Sequence, residues 1–129
     1  LSLHDALPIL LIHKDAIVSS YTSIAFGTCV MPGAIINSGV SIEENCIINT
    51  GAVIENDCKI QRNTHISPKA CIASGVRVGH DTLVGMGSCI IQALHIGNNV
   101  IIGAGAVVIN NVADNVVAVG VPSKIIRHR

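Results

Sequence analysis

Four consecutive residues, Glu55, Asn56, Asp57 and Cys58, put two carboxylates and a thiol beside an amide, and His65 follows seven residues after Cys58. A carboxylate or an imidazole can hold or move a proton near neutral pH, and an ionised thiol can attack a carbonyl. Asn56 can do neither, because an amide does not take up a proton in this range. His65, His80 and His95 stand fifteen residues apart, a spacing that invites a metal reading. Five cysteines (Cys29, Cys46, Cys58, Cys71 and Cys89) are scattered without Cys-x-x-Cys or Cys/His ligand spacing. An odd set of this kind reads as reduced, buried thiols in a reducing compartment, here the cytoplasm, rather than as a disulfide framework.

What these groups can do depends on the elements that carry them, and those follow from an internal period. Every sixth residue from Ile12 to Val108 is Ile or Val, seventeen times in succession. Three residues after each comes Gly, Asn or Asp, with Tyr21, Lys69 and Ala93 as the only departures. Four residues after each comes a small or thin side chain, Leu94 excepted. Gly, Asn and Asp tolerate positive φ best, so the third position marks a corner, while the β-branched residue forms a short strand pointing inward. Three hexads close one triangular coil of eighteen residues, and coils stack about 4.8 Å apart as parallel strands. The expected fold is an all-β, single-stranded left-handed parallel β-helix of about five to six coils. Its span is residues 11–113, with a non-repeat lead-in at 1–10 and a C-terminal strand and cap at 114–129.

Composition agrees with a narrow interior. Half the residues are hydrophobic, yet Tyr21 and Phe26 are the only aromatics. Formal net charge is zero, so no basic field draws nucleic acid or anionic lipid, and neither nucleic acid nor membrane is expected as a partner. No apolar run reaches eighteen residues, and the first ten lack the basic and apolar regions of a secretory signal. The chain begins with Leu1 and not Met, which reads as a piece of something longer. A fifteen-residue histidine spacing does not match an eighteen-residue coil, so the three histidines do not stack and no metal is expected. Such a prism has no internal cavity, and any site lies on its outside or in a groove between copies. Outward apolar residues such as Val53, Ile101 and Val107 fit side-by-side packing as a homotrimer; the alternative is that each simply faces solvent.

The stretch from Ile47 to Cys58 with its Asn49-Thr50-Gly51, then Thr64-His65-Ile66-Ser67-Pro68, Ile102 to Val108, and Gly120 to Lys124, resembles hexapeptide-repeat sugar acetyltransferases of the sialic-acid O-acetyl and UDP-4-amino-sugar N-acetyl type. The resemblance runs from about Leu11 to Ile126. It implies an acyltransferase using acetyl-CoA as co-substrate, with a sugar acceptor, nucleotide-linked, in surface-polysaccharide or glycan synthesis. It also implies an N-terminal Rossmann-like domain of about eighty residues that binds the nucleotide sugar, which residues 1–10 do not supply.

The same resemblance assigns roles to single residues. Asn49 matches a polar residue near the substrate, and His65 the residue contacting the acetyl and pantetheine end of the cofactor. Ser74, Met86 and Ala104 match positions lining the coenzyme A groove. Backbone N–H groups near Gly85 and Gly103 are candidate donors to the developing oxyanion. The general base of the family, a histidine, falls on Asn56. Losing such a base costs about 10²–10⁴ in rate. Three readings stay open: Asp57 or His65 takes the proton; the acceptor amine arrives already partly neutral and the enzyme is slower; or the chain is a catalytically inactive β-helix serving as a trimeric scaffold or interaction module. Lys124, Arg127 and Arg129 could meet coenzyme A phosphates, or form an ordinary solvated tail.

Overall fold

A computed structural model describes residues 9–129; of the lead-in expected at 1–10, the first eight residues lie outside the described residues. Each hexad folds as a two-residue strand and a turn. Seventeen such strands, β1 (Leu11–Ile12) through β17 (Val107–Val108), follow without interruption. From β1 to β14 each pairs in parallel with the strand three further along, so three stacks form the three faces of a prism of about six coils. His65, for example, is flanked in register by Ile47 and Leu83, eighteen residues away on either side. The chain is a left-handed parallel β-helix of hexapeptide repeats.

The inward Ile and Val form ladders along each face, and Ile36, Ile42, Ile48, Ile54, Ile60, Ile66, Ile72, Ile90 and Ile102 are fully buried. Stacked β-branched side chains suit a pleated surface and leave no room for rings. The corner position adopts positive φ at the expected Gly, Asn and Asp residues from Gly27 to Gly105, though not at Asp15 or Asn111 in the outermost hexads, and also at Lys69 and Ala93, both at φ 62°. At these two positions the coils above and below impose a left-handed conformation that the residue itself disfavours.

One corner, between the third and first faces, is stitched by buried hydroxyls. Thr64 Oγ1 donates to the Gly79 carbonyl of the next coil at 2.8 Å and accepts the Thr82 N–H at 3.5 Å. Thr82 repeats this with Gly97 and Val100, and Thr28 with Glu43 and Cys46. Cys46 continues the column, its thiol donating to the Gln61 carbonyl at 3.1 Å. These side chains supply bonds that the turn backbone does not make for itself.

The outward residues sort by face. The first face shows Leu11, Cys29, Ile47, His65, Leu83 and Ile101 in register. On the second are Ile17, Ile35, Val53, Cys71, Cys89 and Val107. Ser23, Ser41, Lys59, Arg77 and His95 line the third. Two faces are therefore mainly apolar and one is polar. The expectation of buried thiols holds for Cys46 and Cys58 only; Cys71 and Cys89 occupy outward slots and are exposed, because they fall in the strand position whose side chain faces away from the core.

Past the last hexad, β18 (Val116–Val119) continues the first face in parallel, and β19 (Lys124–His128) returns antiparallel against it. This hairpin ends the stack, so the last coil does not present a bare parallel edge on that face.

Candidate active site

The residues named by sequence divide between two corners of the prism. Asn49, Gly85, Met86, Gly103 and Ala104 stack on the corner between the first and second faces, and His65 lies on the first face just before it. Asn56, Asp57 and Ser74 lie on the corner between the second and third faces, with Ser74 one coil above Asn56. The second face separates the two sets, so a single chain does not bring Asn56 to His65.

Asn49 and His65 do meet: Asn49 Nδ2 is 3.0 Å from His65 Nε2. The Asn49 oxygen accepts the Thr50 N–H at 2.7 Å, which turns the amide nitrogen toward the ring. Nδ2 therefore donates, Nε2 accepts, and the ring proton sits on Nδ1. Both residues are half-buried. With Nε2 engaged by Asn49, His65 has an N–H to offer at Nδ1, the arrangement suited to steadying a carbonyl oxygen rather than to taking a proton at Nε2.

The second corner is differently built. Asn56 is exposed, with Nδ2 donating to the Ser38 carbonyl at 3.4 Å. Glu55 accepts a bond from Asn37 Nδ2 at 2.9 Å, one coil below. Asp57 is the positive-φ corner residue, at 61°, and its carboxylate lies over Gly39, where any Cβ would collide with it. Cys58 points inward, donates to the Ala73 carbonyl at 3.0 Å and is buried. Burial pushes its thiol up from the ordinary value, which makes it a structural group and not a nucleophile.

Of the N–H groups near Gly85 and Gly103, those of the two glycines are already engaged. Gly85 N–H donates to the Ile102 carbonyl at 2.8 Å and Gly103 N–H to the Ala118 carbonyl at 2.9 Å, so both are used by the stack. At Gly85 a Cβ would strike that same Ile102 carbonyl, which accounts for the glycine by coil packing. The N–H groups of Met86 and Ala104, next along the chain, enter none of the hydrogen bonds among the described residues, and both residues are exposed. Both are free donors at this corner. Of the three evenly spaced histidines, His65 is on the first face, His95 on the third, and His80 at the corner between them, bonded to Asp81 at 2.7 Å.

Two features escaped the sequence reading: the anchoring of Asn49 by Thr50, and the in-register pairing of Cys71 with Cys89. The second was visible in principle, since the two cysteines are one eighteen-residue coil apart.

No protein-family model matches the chain, and no curated protein matches it. Solved structures do. The acetyltransferase domain of PglB from Neisseria gonorrhoeae is 35% identical with a TM-score of 0.90, over 91% of this chain and 57% of that one, and has also been solved in complex with acetyl coenzyme A. PerB from Caulobacter crescentus, in complex with CoA and GDP-perosamine, is 40% identical with a TM-score of 0.91, over 92% of this chain and 57% of that one. WeeI from Acinetobacter baumannii is 25% identical with a TM-score of 0.86, over 88% of this chain and 56% of that one. The chain thus spans a little over half the length of these solved relatives. Two variants of the Caulobacter enzyme, each with one histidine replaced, also match: the alanine variant at 40% identity and the asparagine variant at 41%.

Proposed function

We propose that this hexapeptide-repeat chain, similar over nine-tenths of its length to sugar N-acetyltransferases, moves acetyl from acetyl-CoA to an amino group, or a hydroxyl, on a sugar. The observation that carries the reading is the likeness, at 35–41% identity, to chains solved with acetyl-CoA or with CoA and a nucleotide sugar. The acceptor in this reading is a nucleotide-linked amino sugar destined for a surface polysaccharide or other glycan. The chain works in the cytoplasm, where acetyl-CoA and sugar nucleotides are made.

The reaction forms a C–N bond at the thioester carbonyl, breaks the C–S bond, and transfers the amine proton to the departing thiolate. His65, oriented by Asn49, donates through Nδ1 to the acyl end. The free N–H groups of Met86 and Ala104 hold the pantetheine amides, and Ser74 lines the opposite wall. No metal is needed for any of these steps.

Asn56 stands where the family base would be. With His65 Nε2 engaged by Asn49 and Asp57 serving the corner, neither replaces the base well. The reading is therefore a transferase that binds its cofactor normally and is slow, relying on an acceptor amine already partly neutral.

Assembly as a homotrimer belongs to the same reading. A closed three-fold ring uses two different faces of each copy, and the prism has two apolar faces. The first face of one copy then meets the second face of the next, which places His65 and a neighbour's Asn56 corner on facing walls of one groove.

Calorimetry with acetyl-CoA tests the cofactor half; no binding at about 1 mM, the top of the usual KM range, sinks the transferase reading and leaves the scaffold. The substitution Asn56→His tests the catalytic half, with an expected gain of about 10²-fold or more in acetyl transfer to a nucleotide-linked 4-amino sugar. No gain shows that the base position or the acceptor is wrongly assigned.

A further inference from the structure

The third face, which the acyl-transfer reading leaves unused, carries a cationic ladder. Lys59, Arg77 and His95 are in register on successive coils, all outward and exposed. Rungs of such a stack are about 4.8 Å apart, and like charges facing each other across neighbouring strands are destabilising. Yet neither Lys59 nor Arg77 has an ion-pair partner among the described residues, where the only pairs are His13 with Asp15 and His80 with Asp81.

The ladder lines a groove of about 400 Å³ together with Gln61, Asn98 and Asp114. The two amides are not free to turn. Gln61 Oε1 and Asn98 Oδ1 both accept the His80 N–H, at 3.1 and 3.0 Å, so each has only its NH₂ left to offer. Asp114 is the one anionic wall, and its Oδ1 already accepts the Asn98 N–H at 2.8 Å. A lining of two permanent cations and two amide donors, with one partly satisfied carboxylate, is built for an anion. Two phosphates joined through one oxygen are close enough to span adjacent rungs.

We propose that the third face binds the diphosphate group of a small molecule at Lys59, Arg77, Gln61 and Asn98, apart from the acyl-CoA groove. The site stands whether or not the transferase reading does. Its test is calorimetric titration of the whole chain with inorganic diphosphate and with ADP at low salt, for the wild type and for Lys59→Gln, Arg77→Gln and the double variant. The wild type is expected to bind at least one of the two, and each single substitution to weaken that binding about tenfold. Whichever ligand binds more tightly identifies the source as free diphosphate or a nucleotide. The unliganded variants should melt no lower than the wild type, because each removes like-charge repulsion; a lower midpoint in the double variant shows that these charges support the fold and overturns the proposal. So does undiminished diphosphate binding by the double variant, or binding by neither ligand. Equal binding of sulfate marks a general positive surface and overturns it too. An equal loss of acetyl-CoA affinity in the double variant assigns these residues to the acyl-CoA groove and ends the claim of a separate site.

Discussion

Replacing Thr64 with Val removes one oxygen and keeps the shape of the side chain. Thr64 is buried at 1% exposure, and its hydroxyl serves two backbone groups of the next coil, the Gly79 carbonyl and the Thr82 N–H. No backbone group takes either over: the described bonds show no other donor to that carbonyl and no other acceptor for that N–H. Both residues are buried, so water does not compensate. A buried polar group left without a partner costs about 1–3 kcal/mol. The carbonyl bond at 2.8 Å is the stronger and the N–H bond at 3.5 Å the weaker, so the sum should fall at about 2–4 kcal/mol. Urea unfolding followed by far-ultraviolet circular dichroism measures it as a fall in midpoint at unchanged slope. Thr64→Ser is the control, because it keeps both bonds and loses one methyl, at about 1 kcal/mol. A Val variant within about 0.5 kcal/mol of wild type, or one more stable than the Ser variant, refutes the hydroxyl ladder as a source of stability.

Ala93→Gly should stabilise the chain by about 0.5–1 kcal/mol, since the relief of a left-handed alanine exceeds the added freedom of the unfolded glycine; a loss in denaturant midpoint counts against it. Thiol reagents in mildly alkaline buffer should modify Cys71 and Cys89 in the folded, dissociated Val53→Lys chain, whose second face is uncovered, and reach Cys46 and Cys58 only on unfolding, as read by peptide mass mapping. Burial raises the Cys46 and Cys58 thiols above their ordinary value. The folded state therefore holds those protons more tightly than the unfolded one, and the stability this contributes is present below the unfolded thiol pKa of about 8.5 and lost as pH rises through the folded values. A stability flat across that alkaline window argues against the burial. Val53→Lys should leave the circular dichroism unchanged while dissociating the assembly in sedimentation; an unchanged sedimentation coefficient excludes the second face as the contact.

The seventeen Ile and Val positions were enough to read the prism, its coil length and its corners, because a six-residue period with turn residues in a fixed slot has one structural solution. Lys69 and Ala93, unlike Tyr21, show that a departure inside the stack still follows it. Legibility was lower outside the inward columns. Reading hexads one at a time hides which outward residues share a face, and so it hid the Cys71–Cys89 pair and the Lys59–Arg77–His95 ladder. The free donors at Met86 and Ala104 depend on which N–H groups the coils consume, as Gly85 and Gly103 illustrate, and residue type does not report that. The C-terminal hairpin lies beyond the period, so its antiparallel return over β18 had no pattern to announce it.

The three-fold phase of the coil also limits how such a gene can change length. Deleting one residue turns every later inward isoleucine outward. Deleting six keeps the core but rotates all downstream outer residues by one face, so the cationic row would be carried into an apolar seam. Only gains or losses of eighteen residues keep each face in its place. The prism can therefore grow or shrink by whole coils while its surfaces stay separate, and length variants of other sizes should be purged or confined to the ends.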